Sequence, residues 1–137
     1  MNIKIKEYKN YEHDEVINLY KSVGWCSYTN RPEMLKHAFE HSLKILGAHD
    51  GNKLVGLIRA VGDGYSVLFI QDILVLPEYQ RKGIGTRLLK SMLGFYPEVY
   101  QTQLATDKTE KTVEFYKSCG FLPYSETGCE GFIKIKY

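Results

Sequence analysis

Long apolar runs, an excess of one charge and a set of spaced cysteines are all missing from this chain. Each shortage removes a class of function. The longest uninterrupted apolar stretches are only a few residues, against the roughly 20 that a membrane-crossing helix needs, so no membrane partner is expected. Net charge is +2, from 18 Lys and Arg against 16 Asp and Glu. No basic run reaches the length of a phosphate-binding patch, so no nucleic-acid partner is expected either. The three cysteines, Cys26, Cys119 and Cys129, are odd in number and no two have Cys-x-x-Cys spacing. That argues against a disulfide framework or a zinc site, and points to a reducing compartment and a cytoplasmic location. Of the four histidines, His37 and His41 stand four apart, as on a zinc-binding helix face, but no glutamate follows His37 as the protease motif requires. Solvated helix positions account for them, and no metal is expected.

What is present is an ordinary globular composition, 44% hydrophobic and 25% charged over 137 residues. That length predicts one domain, residues 1–137, with a sizeable core. The first residues alternate polar and apolar, which predicts a strand rather than a signal peptide.

Periodicity and turn signals order the rest. Residues 3–8 alternate as a first strand. Val16, Leu19, Tyr20 and Val23 fall on one helix face, Gly24 ends that helix, and 25–30 read as a loop. A second helix starts near Pro32 and carries Leu35, Ala38 and Phe39. Three strands follow, 43–49, 53–61 and 65–76, separated by Asp50-Gly51-Asn52 and Gly62-Asp63-Gly64. The last of them is long enough to expect a bulge. A helix over 83–95 stops before Pro97, 99–106 alternates as a strand, and a helix over 108–119 closes at Gly120. Residues 121–125 and 131–137 read as two final strands. The predicted class is α/β in the order β-α-α-β-β-β-α-β-α-β-β. The helix between the fourth and fifth strands demands that those two run parallel, while the other neighbours run antiparallel.

The chemistry concentrates in Pro77-Glu78-Tyr79-Gln80-Arg81-Lys82-Gly83-Ile84-Gly85-Thr86. This is a glycine-rich loop with two cations, between a strand and a helix. Glycines let backbone approach a ligand closely, and loop amides with a helix N-terminus bind anions, so a pyrophosphate fits. A loop with glycines for steric reasons alone is the alternative. The dinucleotide fingerprint fails because its third glycine position is Leu88, and no Gly-Lys-Ser/Thr supplies a Walker loop.

The spacing Gln80-Arg81-x-Gly83-x-Gly85 instead resembles the acyl-CoA signature of the GNAT superfamily of N-acetyltransferases. The order of elements resembles that fold over nearly the whole chain. The resemblance implies acetyl-CoA as co-substrate, with its pyrophosphate on Gln80, Arg81, Lys82, Gly83, Ile84, Gly85 and Thr86. It implies that the fourth and fifth strands splay apart, and that the pantetheine arm lies along the backbone of Ile73, Leu74 and Val75. The oxyanion donors would be backbone amides near Leu74. The segment Phe115-Tyr116-x-x-x-Gly120-Phe121 resembles the family motif whose tyrosine stands by the CoA sulfur as general acid. A phenol, with a pKa of about 10, holds a proton to give; packing of Phe115 and Tyr116 as core aromatics is the alternative. Relatives usually have asparagine where Thr109 stands, so Thr109 is a weaker candidate for a cofactor contact through its hydroxyl.

The general base is less defined, because the glutamate some relatives use falls on Phe69. Asp72 is the candidate, since an acid inside an apolar strand needs a reason. It holds a substrate ammonium or relays its proton, or else it faces solvent or caps a bulge. Arg59 through Gly64 with Asp72, and loosely Gly24-Trp25, resemble a subset that includes plant-type arylalkylamine acetyltransferases. On that resemblance Trp25, Tyr28 and Tyr65 line the acceptor pocket, although a tryptophan in such a loop is more often a core or lid residue. The expected function is transfer of acetyl to a primary amine, of a small molecule or of a peptide or protein lysine, by direct attack. A non-catalytic CoA sensor on the same fold is the rival. Relatives often dimerise, so a homodimer is admitted.

Overall fold

Apolar alternation over residues 43–76 builds most of one sheet, and the helices that flank it supply its covers. A computed structural model describes residues 1–136 of the protein. It divides into two units, Met1–Leu104 and Ala105–Tyr137.

In the first unit, strand β1 (Ile3–Glu7) precedes helices α1 (His13–Ser22), α2 (Cys26–Thr29) and α3 (Pro32–Glu40). Strands β2 (Lys44–Asp50), β3 (Lys53–Gly62) and β4 (Val67–Val75) follow, then a 3-10 turn (Pro77–Tyr79), helix α4 (Ile84–Phe95) and strand β5 (Gln101–Leu104). The five strands lie in the order β1-β2-β3-β4-β5. Neighbours are antiparallel up to β4, and β4 and β5 are parallel. The architecture is thus the mixed α/β sheet that the sequence predicts.

The predicted helix faces are the buried ones: Val16, Leu19 and Tyr20 on α1, and Leu35 and Phe39 on α3, whose first turn holds Pro32. α4 buries Ile84, Leu88, Leu89 and Met92. On β3, a Cβ at Gly56 would meet Leu88 and Ile84 at 3.3 and 3.4 Å, so this face carries α4. Arg59 lies three residues on and so on the opposite face, where its guanidinium stands 5.9 Å from the Phe39 ring of α3. β3 is buried from Leu54 to Ala60, as a central strand covered on both faces must be.

The bulge expected in the long strand is present. Ala60 pairs with Ile70 but Arg59 pairs with Asp72, which leaves Gln71 without a partner on β3. The turn at 62–64 is a structural device. Gly62 has φ +125°, and a Cβ there would stand 2.6 Å from the Val67 carbonyl oxygen. The Asp63 carboxylate accepts the amides of Tyr65, Ser66 and Val67. One correction falls on 25–30. Residues 26–29 form the single turn α2, closed by Asn30 N–H on the Cys26 carbonyl. Four residues are too few for periodicity to reveal.

In the second unit, helix α5 (Glu110–Ser118) starts at an N-cap, Thr109, which accepts the Thr112 amide. It ends at Gly120 with φ +94°, where the Phe121 amide returns to the Tyr116 carbonyl. The two predicted final strands are a second correction, since among the described residues no strand follows Leu104. Pro123 lacks an N–H for a ladder and leads into a 3-10 turn, Tyr124–Thr127. The alternating residues 131–136 have no ladder partner among the described residues, and alternation without a partner does not make a strand. The last residue of that expected strand, Tyr137, lies outside the described residues.

Candidate functional site

Between β4 and α4 the backbone takes two left-handed steps, at Arg81 with φ +63° and at Gly83 with φ +79°. Left-handed geometry suits Gly83 and is uncommon for an arginine. Gly83 is the N-cap of α4 and offers no side-chain cap. The first helical bond runs from Arg87 N–H to the Gly83 carbonyl. The amides of Ile84, Gly85 and Thr86 therefore have no acceptor within the helix and, with the helix dipole, form a cradle that could hold an anion.

The cradle is open where a ligand needs it open. A Cβ built on Gly83 or Gly85 meets nothing within 4 Å. Packing therefore explains Gly56 but not Gly85, whose φ is not positive. A glycine inside a helix costs up to about 1 kcal/mol against alanine, so its presence suits a ligand that approaches from outside. Ile84 itself is buried, and only its amide belongs to the cradle. Arg81 and Lys82 are exposed beside it.

The strand leading into this loop has a free edge. β5 pairs with β4 only from Val67 to Ile70, whereas β3 pairs with β4 through to Val75. Ile73, Leu74 and Val75 thus have no β5 partner among the described residues. β5 ends at Leu104, and an extended amide-bearing ligand can add along 73–75 by strand-like hydrogen bonding. Gln80, predicted as a cofactor contact, donates its Nε2 to the Val75 carbonyl at 2.9 Å and so closes the strand end.

At the bulge, Asp72 is 2% exposed and Arg59 5%. Asp72 Oδ2 accepts Arg59 Nε at 2.7 Å and the Tyr20 hydroxyl at 2.8 Å. Its Oδ1 accepts the Tyr28 hydroxyl at 3.2 Å, and that hydroxyl accepts Gln71 Nε2 at 3.2 Å. Arg59 also donates to Ser42 Oγ at 3.2 Å. Burial, then the Asp72 charge, pushes the Tyr20 and Tyr28 pKa values up, so both stay protonated donors. Burial works against the Arg59 charge, and the adjacent carboxylate more than offsets it. The arrangement is a neutralised buried pair with one long, replaceable bond on its outer oxygen.

Trp25 and Tyr28 join this cluster. Their rings are tilted to each other with centroids 6.2 Å apart, and each packs edge-on against Tyr20, at 5.8 and 5.3 Å. Tyr65 does not join it. It is 85% exposed and stands in the turn before β4, which begins at Val67. Its carbonyl instead accepts the Tyr100 amide.

Tyr116 and Thr109 stand in the second unit. Tyr116 packs edge-on against Phe115 and Phe121, with centroids at 5.0 and 5.9 Å. Burial chiefly, with Cys119 and Asp107, raises its pKa. The Thr109 hydroxyl is 2.7 Å from Asp107 Oδ1 and 2.8 Å from Thr112 Oγ1, so it is engaged in capping α5.

Sequence reasoning missed Tyr20, Arg59, Ser42 and Gln71 as members of the Asp72 cluster. Arg59 carried a signal: it is a charge inside an apolar strand, as Asp72 is in the next one. Tyr20 carried none beyond a core helix position.

Comparisons with known proteins bear on the family and the fold. The model of the acetyltransferase (GNAT) family matches residues 8–121. The uncharacterized N-acetyltransferase ycf52 of Pyropia yezoensis is 28% identical over 125 residues, covering 88% of this chain and 70% of that one. The histone acetyltransferase TAP1 of Glycine max is 30% identical over 84 residues, covering 59% of this chain and 36% of that one. A solved GNAT family acetyltransferase of Streptococcus pneumoniae is 50% identical, with a TM-score of 0.88 over 98% of both chains. The PaiA N-acetyltransferase of Thermoplasma acidophilum, solved with coenzyme A, shares the fold at 18% identity, with a TM-score of 0.73 over 87% of this chain and 89% of that one.

Proposed function

The chain belongs to the GNAT acetyltransferase family, and from that premise we propose that it moves an acetyl group from acetyl-CoA to a primary amine by direct attack. The observation that carries the proposal is the join of two features: an open amide cradle at Gly83–Thr86 and a free β4 edge at Ile73–Val75. Together they suit a ligand with a pyrophosphate at one end and an amide-bearing arm at the other. The family model runs from 8 to 121, across both units, which supports reading residues 1–137 as one domain.

The co-substrate supplies an activated acetyl thioester. The residues of the chain hold it, orient the acceptor and move protons. Cradle amides with Arg81 and Lys82 take the pyrophosphate, and the β4 edge aligns the arm. An amide near Leu74 donates to the thioester carbonyl oxygen as charge develops there. The neutral amine nitrogen forms the new C–N bond and sheds a proton to water, the C–S bond breaks, and the Tyr116 phenol gives its proton to the departing sulfur and regains one from water. The raised pKa of Tyr116 keeps that proton in place until it is needed.

Asp72 serves the acceptor side. Its inner oxygen is held by Arg59 and Tyr20, so its outer oxygen and the Tyr28 hydroxyl are the groups able to receive an acceptor N–H. Trp25 and Tyr28 supply the adjacent aromatic wall. The test is release of free thiol from saturating acetyl-CoA across a panel of alkyl amines, aryl amines, polyamines and lysine peptides. Turnover on at least one amine is expected. Tight CoA binding with no turnover on any of them would replace the enzyme with a CoA sensor.

A further inference from the structure

We infer that Tyr79 and Asp50 form a strut between the β2–β3 hairpin and the cofactor loop, and that this strut sets the affinity for acetyl-CoA. The inference rests on the reading of 80–86 as the pyrophosphate cradle.

The Tyr79 hydroxyl donates to Asp50 Oδ2 at 2.7 Å across 29 residues of sequence. Bonds to an ionised acceptor are stronger than neutral ones. Asp50 is well founded: it ends β2, where it pairs with Ile3 of β1 and Lys53 of β3. The hairpin turns at Gly51 with φ +62°. On the loop side, Leu76 N–H bonds to the Val55 carbonyl at 2.8 Å, and Tyr79 N–H bonds to the Leu76 carbonyl at 2.8 Å. The loop is thereby fixed to the sheet at Leu76 and again at Tyr79.

The next residues are the ones that need fixing. Arg81 sits at φ +63° without being glycine, a conformation that costs roughly 1 kcal/mol or more and persists when its surroundings impose it. Only Gln80 separates it from the end of the strut. Releasing the Tyr79 side chain leaves the loop before Arg81 held by Gln80, through its bonds to Pro77 and Val75, and the cradle amides must then be ordered more fully each time the cofactor binds. Lys53 stands 5.5 Å over the Tyr79 ring and 3.8 Å from Glu78 Oε1, but both of those side chains are solvated, so this ion pair adds little.

Tyr79→Phe keeps the ring and removes one oxygen. It is expected to weaken CoA binding by calorimetry, and to raise KM for acetyl-CoA, by about fivefold, with a much smaller change in kcat. Asp50→Ala, which removes the acceptor, is expected to do the same. The double variant should bind no worse than either single one, because both remove one interaction. Unchanged CoA affinity in Tyr79→Phe, or losses that multiply in the double variant, would overturn the strut. If Asp50→Ala yields no folded protein, Tyr79→Phe decides alone. Failure of the wild-type chain to bind CoA in the same titration would overturn the cradle reading itself, which is a separate result.

Discussion

Burial, more than the nearby Cys119 and Asp107, raises the Tyr116 pKa, which makes the residue a proton donor over the whole neutral range. Tyr116→Phe should therefore lower kcat about 100-fold or more while CoA affinity, by calorimetry, stays within a few-fold. Equal turnover in variant and wild type would leave Tyr116 as a packing aromatic only. Arg59 and Asp72 make a different demand. Removing one partner of a buried pair leaves an uncompensated charge, so Arg59→Met should destabilise by about 3–5 kcal/mol in urea unfolding. Arg59→Met with Asp72→Leu should recover part of that loss. His49 has a pKa lowered by burial first and by Lys6 second, and its Nδ1 is buried without a hydrogen-bond partner among the described residues. A depressed histidine binds its proton more readily when unfolded, so its contribution to stability is present above the ordinary value of about 6.5 and lost as pH falls through that value toward the folded one. The stability difference between wild type and His49→Gln should narrow over that window.

The loop and its helix are where stability and function pull apart. Gly85 meets no protein atom at its Cβ position and has no positive φ, so Gly85→Ala should raise unfolding stability by about 0.5 kcal/mol while weakening CoA binding. A gain in stability with unchanged affinity would mean that no ligand uses the space. This element was legible in the sequence because its chemistry is local: two glycines, two cations and a strand-to-helix turn lie within ten residues. The partner of Asp72 was not legible, because pairing depends on register. Continued from Ala60↔Ile70, the ladder would set Arg59 opposite Gln71. The bulge inserts that residue and brings Asp72 opposite Arg59 instead. The sequence called for a bulge in this long strand, but its position, and so the pair, is fixed by the packed sheet. The final strands failed for a related reason. Alternation describes a segment's own faces, and a strand also needs a neighbour.

Across the molecule, protection should follow cover. β3 is buried on both faces and paired on both edges, so its amides should exchange slowest with deuterium. Residues 129–136, exposed throughout, should exchange fastest. Fast exchange in β3 would contradict the packing of α1 and α4 on its two faces. What the sequence by itself determined is the class of fold, the parallel crossover and the glycine-rich loop between β4 and α4, because these follow from periodicity, turn residues and short-range spacing. Only the tertiary structure decided which side chains meet around Asp72. It gathered Tyr20, Tyr28, Arg59, Gln71 and Asp72 from two helices and two strands, and left Tyr65 out. The physical reason is that a one-residue register shift reverses which face a side chain occupies. That shift is chosen by the packing of the whole sheet rather than by any local run of residues.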